Sequence, residues 1–189
     1  AANQGHIYGY SKVAECYENG WGVEKSIESA MYYYELVTRK TDISTDKISC
    51  GLAYKSIIHL LWENRIDDQK LFFYVKRGLD EEFINNSIFY YVDILGKCFL
   101  EGIGCEKSIE KAIQVYELAS KNNPEPSWYE LANIYERIGS EESLNKASYY
   151  YQKRFEFLMN ECDLDSSYIQ FIIGRCYQMG RGTEKKKKK

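Results

Sequence analysis

Six cysteines, two histidines and several paired carboxylates are the groups in this chain that could bind a metal, attack a substrate or relay a proton. The cysteines stand at 16, 50, 98, 105, 162 and 176 with no Cys-x-x-Cys pair, and His6 and His59 lie at no ligand spacing from them, so no zinc arrangement is spelled out. Neither a metal site nor a cofactor is expected. Cys16, Cys98 and Cys176 each precede an aromatic residue (Tyr17, Phe99, Tyr177), which marks them as small apolar members of a repeated core. Separated by intervening helices, they would lie beyond the roughly 7 Å limit on bridged Cα atoms. Unpaired thiols favour a reducing compartment such as the cytoplasm; the endoplasmic reticulum lumen or secretion stays open if an upstream signal is missing. Glu81-Glu82, Glu141-Glu142 and Asp163 with Asp165 could act as acid and base. They flank predicted helix starts, however, where negative charge is stabilising anyway. His59 lies in an apolar helix with no nucleophile. No catalytic residue is assigned, and the chain is not expected to be an enzyme.

What remains is surface chemistry, and the surface depends on the elements that carry it. Glu-Lys-Ser-Ile-Glu occurs letter for letter at 24 and at 106, 82 residues apart, with room for one further unit between and so an average spacing of 41. Self-similarity at such a period describes a row of two-helix units that bury a core by stacking on their neighbours. In the first unit Val13, Ala14 and Tyr17 share one helical face, Gly20 and Gly22 break the helix, Ser26 caps the next, and Ala30, Tyr33 and Val37 resume the period. Glycines suit this reversal because a left-handed residue ends a helix at least cost when it has no Cβ. Leu95, Gly96, Phe99, Gly102, Gly104, Ser108, Ala112, Val115 and Ala119 repeat the pattern, and Ile173, Gly174, Tyr177, Gly180 and Gly182 repeat its first half.

Two further units are degenerate. Trp128, Leu131, Ala132 and Tyr135 reproduce a first helix, but the turn Ile138-Gly139-Ser140 has one glycine; Ala147 and Tyr150 mark the second helix. Trp62-Glu63-Asn64 echoes Tyr17-Glu18-Asn19 without any glycine pair, and Asp67 or Asp68 could cap the helix of Leu71, Phe72 and Val75. The chain therefore divides into units of approximately 1–40, 47–80, 86–121, 125–160 and 165–189, a single array with loops near 40–47, 80–86, 121–126 and 160–166. Pro124 and Pro126 are expected between units, where they interrupt no helix.

The succession Ala1, Ala2, Gly5, Val13, Ala14, Tyr17, Gly20, Gly22, Val23, Ser26, Ala30 and Tyr33, repeated from Leu95 to Ala119, resembles the Sel-1-like repeat, a longer relative of the tetratricopeptide repeat. Departures are Ser26 and Ser108 where the family usually has aspartate, and Cys105 for valine. The resemblance implies an all-α fold, an α-solenoid of stacked antiparallel helix pairs, and an adaptor or scaffold role in protein complexes. It supplies no catalytic residues. The alternative it leaves is a regulatory repeat region of a larger multidomain enzyme or of a ligase or quality-control complex; a chain that starts inside one repeat consensus and stops halfway through another favours that alternative. Hydrolysis by the repeats themselves, raised for cysteine-rich relatives, needs a regular cysteine pair per repeat that this chain lacks.

In such a stack the first helices line the concave side. Positions 8, 11, 15 and 18 of the first unit are read as its open face: Tyr8, Ser11, Glu15 and Glu18, with Tyr90, Asp93, Lys97 and Leu100, then Pro126, Tyr129, Asn133 and Glu136, then Tyr168, Phe171, Arg175 and Gln178 as equivalents. Tyrosine recurs at 8, 90 and 168, with Tyr129 and Phe171 one turn away. Such aromatic anchors with polar neighbours suit a protein or peptide partner. The competing reading packs Tyr8 and its equivalents against the preceding repeat. Trp21, between Gly20 and Gly22, is either an exposed contact residue or a turn residue tucked onto the next unit.

Composition narrows the partner. The 189 residues are 44% hydrophobic and 28% charged with a formal net charge of −3, enough apolar material for a core, and the pI near 5.6 argues against nucleic acid, which needs a dense basic stripe. No apolar run approaches the roughly 20 residues that cross a bilayer, so no membrane contact is expected from this segment. Lys185–Lys189 could form a basic tail, yet Thr183-Glu184-Lys185 aligns with Val23-Glu24-Lys25, which makes the lysines the solvated opening of a second helix. Asn85-Asn86-Ser87 is a glycosylation triplet only if the protein is secretory.

Overall fold

The computed structural model describes residues 7–40, 47–81 and 88–183, and among these it contains nine α-helices and no strand. They are α1 (Ile7–Asn19), α2 (Ile27–Lys40), α3 (Lys47–Asn64), α4 (Asp68–Asp80), α5 (Ile88–Glu101), α6 (Ile109–Ala119), α7 (Pro124–Ile138), α8 (Glu141–Glu161) and α9 (Ser167–Met179). The fold is all-α, of the helical-repeat solenoid class. Ala1, Ala2, Gly5, His6, Glu82, the triplet 85–87 and Lys185–Lys189 lie outside the described residues.

The chain divides into two compact units, Ala1–Lys107 and Ser108–Lys189. In the first, α1 packs on α2, α2 on α3, α3 on α4 and α4 on α5, with α1 also meeting α3. Small residues set the closest approaches: Ala14, Ala30 and Cys98 have no exposed surface, and Tyr54, Ile57, Ile58, Leu61, Leu71 and Ile94 fill the space between helices. In the second unit α7 packs on α6 and α8, and α8 on α9. Ala132, Ala147 and Tyr151 form one cluster there, and Leu158, Ile172 and Cys176 another. Gly174, which stands at the repeat position of Ala14, is exposed.

Two designs of turn join the paired helices. In the longer one, Gly20 (φ +75°) and Gly22 (φ +72°) are left-handed, and the N–H groups of Gly20 and Trp21 both donate to the Cys16 carbonyl at 2.8 and 2.9 Å. The N–H of Ser26 then donates to Tyr17 O at 2.9 Å, and the Ser26 hydroxyl accepts from Ser29 N at 3.1 Å to start α2. Gly102 and Gly104 are left-handed in the same way, the N–H groups of Gly102 and Ile103 donate to the Cys98 carbonyl at 2.8 and 3.0 Å, and Ser108 accepts from Lys111 N at 3.2 Å. Gly180 and Gly182 repeat the first half on the Cys176 carbonyl. In the shorter design a single left-handed residue suffices: Gly139 (φ +76°) before the Ser140 cap, and Arg65 (φ +50°) before the Asp67 cap. Asp67, not Asp68, starts α4, accepting from Lys70 N at 2.9 Å.

Two expected boundaries move. Pro124 and Pro126 lie in the first turn of α7 and not between units; N–H groups there have no intrahelical partner, so proline forfeits nothing. Glu81 stands at the C-cap of α4 and not before a helix, where Arg77 one turn earlier holds it at 3.0 Å. Glu141 and Glu142 do occupy the first turn of α8.

Candidate functional site

The residues read from the sequence as an open face divide into exposed and engaged ones. On α1, Tyr8 is 70% exposed; the Lys12 ammonium lies 5.5 Å above its ring and pairs with Glu15 at 2.7 Å. Ser11 is half-buried and donates to Ile7 O at 3.3 Å. On α5, Tyr90 is 41% exposed and stands edge-on to Tyr91 at 5.1 Å. Burial pushes the Tyr90 hydroxyl above its ordinary titration range, with Glu63 adding to the effect. Asp93 and Lys97 pair with each other at 2.6 Å, and Leu100 is half-buried.

On α7 the equivalents are occupied by the fold. Tyr129 lies 4.5 Å below the Arg154 guanidinium of α8, which is held in turn by Glu125 at 2.6 Å. Asn133 accepts at 2.8 Å from the Tyr151 hydroxyl, which also reaches Glu136 at 2.9 Å. On α9 the face is open: Tyr168 is 67% and Phe171 62% exposed, and exposed Arg175 lies 6.0 Å over the Phe171 ring.

Glu18 and Glu136 depart from the sequence reading. Each follows a buried alanine, Ala14 or Ala132, by four residues, so it stands above that alanine on the face toward the second helix. There Glu18 accepts from the Tyr34 hydroxyl at 2.7 Å, as Glu136 does from Tyr151. Burial first, and then the carboxylate, push both tyrosines above their ordinary range. A tyrosine at corresponding places in both second helices was the available signal.

The residue between the paired glycines differs most among copies. Ile103 is buried, at 8% exposure, whereas Trp21 in the same position is 62% exposed. The adjoining glycines explain the difference. A Cβ on Gly104 would overlap the carbonyl of Asp68 in α4, and one on Gly182 would overlap the carbonyl of Tyr151 in α8. Around Gly22 no described atom lies within 4 Å of that position. The turn at 102–104 is thus pressed onto a preceding helix, and so is the turn at 180–182, where Arg181 pairs with Glu136 at 2.6 Å and lies 4.7 Å over the Tyr151 ring. Among the described residues Trp21 meets no such helix.

Sequence reasoning overlooked Tyr32, Phe73 and Tyr149, exposed aromatics on the second helices α2, α4 and α8. Each belongs to an aromatic triplet (Tyr32-Tyr33-Tyr34, Phe72-Phe73-Tyr74, Tyr149-Tyr150-Tyr151) and meets the ring that follows it edge-on at 5.3 Å, so the triplet itself was the legible signal. None of the six thiols forms a disulfide. Burial drives Cys98 up to about 12 and raises Cys162 and Cys176, which disfavours their thiolate forms. His59 is exposed on α3. Among the described residues no three histidine, cysteine or carboxylate side chains converge as a metal site, and no helix is long and apolar enough to cross a membrane.

Comparison with known families and structures matches this geometry. The Sel1 repeat model covers residues 7–37, 94–124 and 168–189, the three segments with paired glycines. A Sel1 repeat protein from Oxalobacter formigenes is similar in structure, with a TM-score of 0.52 and 22% identity over 82% of this chain and 60% of that one. So is c5321, a protective antigen present in uropathogenic Escherichia coli strains displaying an SLR fold, at a TM-score of 0.41 and 18% identity over 98% of this chain and 52% of that one. The chain spans less than two thirds of either structure. No curated protein matches it.

Proposed function

Sel1 repeats run through this chain, and from that premise we propose that it is a non-enzymatic adaptor or scaffold segment whose first helices hold a protein or peptide on their exposed faces. Sel1 repeats are in general protein-interaction modules. The observation that carries the finer reading is the return of one exposed aromatic at one repeat position, Tyr8, Tyr90 and Tyr168, with Phe171 a turn beyond. A ring left in water gains nothing for the fold, whereas covered by a partner it contributes both apolar area and a hydroxyl. Glu15 and Lys12 beside Tyr8, Asp93 and Lys97 beside Tyr90, and Arg175 beside Phe171 supply charge of both signs. Tyr129 and Asn133, engaged with Arg154 and Tyr151, serve to stiffen α7.

A random-peptide display library panned against the whole chain tests this. Selected peptides should bind the Tyr8→Ala/Tyr90→Ala or the Tyr168→Ala/Phe171→Ala variant about tenfold more weakly, or worse, since truncating an interface aromatic costs roughly 1 kcal/mol or more. Unchanged affinity for both variants rejects the first-helix face; loss with Tyr32→Ala/Phe73→Ala instead moves the contact to the second helices. The second reading is a regulatory region of a larger enzyme. A complete reading frame that encodes repeats alone would reject it.

A further inference from the structure

Lys12 lies over the Tyr8 ring and pairs with Glu15, and Lys146 lies 5.6 Å over the Tyr135 ring and pairs with Glu142 at 2.7 Å. Lys153 is held differently. Its ammonium lies over two rings, Trp128 of α7 at 4.8 Å and Tyr149 of α8 at 5.5 Å, and among the described residues no carboxylate pairs with it. Tyr149, Lys153 and Phe157 are four residues apart, so they stand one above another along α8. Trp128 reaches this row from the facing helix and meets Phe157 edge-on at 5.8 Å. α4 carries a similar row with a different end: Phe73, then Arg77 5.9 Å over its ring, then Glu81, which takes the guanidinium at 3.0 Å. Where α4 offers the cation a carboxylate, α8 offers a phenylalanine.

Ring faces carry the negative end of the aromatic quadrupole, so rings without a carboxylate attract a cation and gain most from one that sheds water at little cost. A lysine ammonium, with three N–H donors, sheds it at high cost. A fully methylated ammonium has the same charge, an apolar surface and no donor, which matches a site walled by rings alone. We propose that Trp128, Tyr149 and Phe157 form a cradle for a quaternary ammonium group, with the Lys153 ammonium as its resident stand-in. Lys153 and Tyr149 are exposed, while Trp128 and Phe157 are half-buried. The group therefore enters from solvent as the long lysine side chain swings out, and the two half-buried rings are already in place. The cradle uses none of the first-helix aromatics Tyr8, Tyr90, Tyr168 and Phe171, so it stands or falls apart from the face proposed above.

The probe is tetramethylammonium chloride, titrated into the whole isotope-labelled chain with sodium chloride at equal ionic strength as control. The three tryptophans give three indole N–H signals in a nuclear magnetic resonance spectrum, and Trp128→Phe assigns the relevant one. That signal should shift saturably with tetramethylammonium and stay still with sodium. Lys153→Ala, which empties the cradle, should tighten binding about threefold, the value of one exposed cation on a ring. Tyr149→Ala, at a position 55% exposed, should leave the fold intact and weaken binding by about the same factor. Two peptides that differ only in carrying trimethylated or unmodified lysine identify the source. A trimethylated peptide that binds more tightly than tetramethylammonium assigns the group to a partner protein, and one that binds no more tightly assigns it to a free small cation; both outcomes support the cradle. An absent shift, a shift that sodium reproduces, unchanged affinity in Lys153→Ala or in Tyr149→Ala, or an unmodified peptide that binds as tightly as its trimethylated form each overturns the proposal.

Discussion

The turns Gly20-Trp21-Gly22 and Gly102-Ile103-Gly104 share one backbone and have opposite surroundings. Both receive two N–H groups on a cysteine carbonyl, and both glycine pairs are left-handed. Around the later turn a helix lies so close that a hydrogen is all that fits between Gly104 and the Asp68 carbonyl; around the earlier one no described atom comes near. The same residue type thus answers two physical demands, conformation at Gly22 and conformation plus clearance at Gly104. The cysteines follow suit: Cys98 is fully buried and Cys16 half-exposed.

Thiol chemistry gives the largest test of that contrast. With burial pushing Cys98 from 9.0 up to about 12, its thiolate fraction at pH 8 falls about a thousandfold, one factor of ten per pKa unit. Iodoacetamide on the native chain should therefore label Cys16 and spare Cys98, as read by peptide mass spectrometry. Equal labelling would mean that the inner turn opens as freely as the outer one.

Alanine in place of the second glycine separates the two demands. Gly104→Ala meets left-handed strain of roughly 1 kcal/mol and an overlap with helix backbone of roughly 1–3 kcal/mol, about 3 kcal/mol in urea unfolding. Gly22→Ala meets the strain alone, about 1 kcal/mol. Gly182→Ala should resemble Gly104→Ala, given its clash with Tyr151. A Gly22→Ala variant as damaged as Gly104→Ala would place a helix over the outer turn.

Much of this was legible in the sequence because repeated letters fix repeated backbone. The paired glycines, the caps at Ser26 and Ser108 and the buried alanines 14, 30, 112 and 132 all stand where the period places them. What one repeat meets on the next was not legible, since that depends on which neighbour supplies the covering helix; hence Trp21 could be read either way. Arg65 hid a turn because no glycine announced it. Glu18 and Glu136 were misplaced by setting them opposite the common face of Val13, Ala14 and Tyr17, although each stands one turn after a buried alanine and so reaches a second-helix tyrosine.

Those tyrosine–glutamate bonds brace each first helix against its second and carry a smaller effect. Tyr34→Phe and Tyr151→Phe should each lose about 1 kcal/mol, the usual net contribution of one buried hydrogen bond, measured as a lower urea midpoint at constant m-value. Tyr34→Phe acts beside the open turn and Tyr151→Phe beneath a covered one. If only the latter destabilises, the brace matters only where a following repeat presses on it.

The smallest effect has the opposite sign. Arg65 holds φ +50° at the place where Gly20, Gly102, Gly139 and Gly180 stand in the other turns, and a side chain there costs roughly 1 kcal/mol in backbone strain. Its guanidinium lies 4.2 Å over the Trp62 ring, a contact that returns about 0.5 kcal/mol at an exposed site. Glycine also brings a more flexible unfolded chain. Arg65→Gly should accordingly stabilise the protein by a few tenths of a kcal/mol, about 0.5 at most, and Arg65→Asn, which tolerates the left-handed region better than most residues, should fall between the two. Destabilisation by Arg65→Gly would show that the stacked guanidinium, and not the backbone, sets the conformation of this turn, which would then be the one turn in the described chain held by a side chain and not by the absence of one.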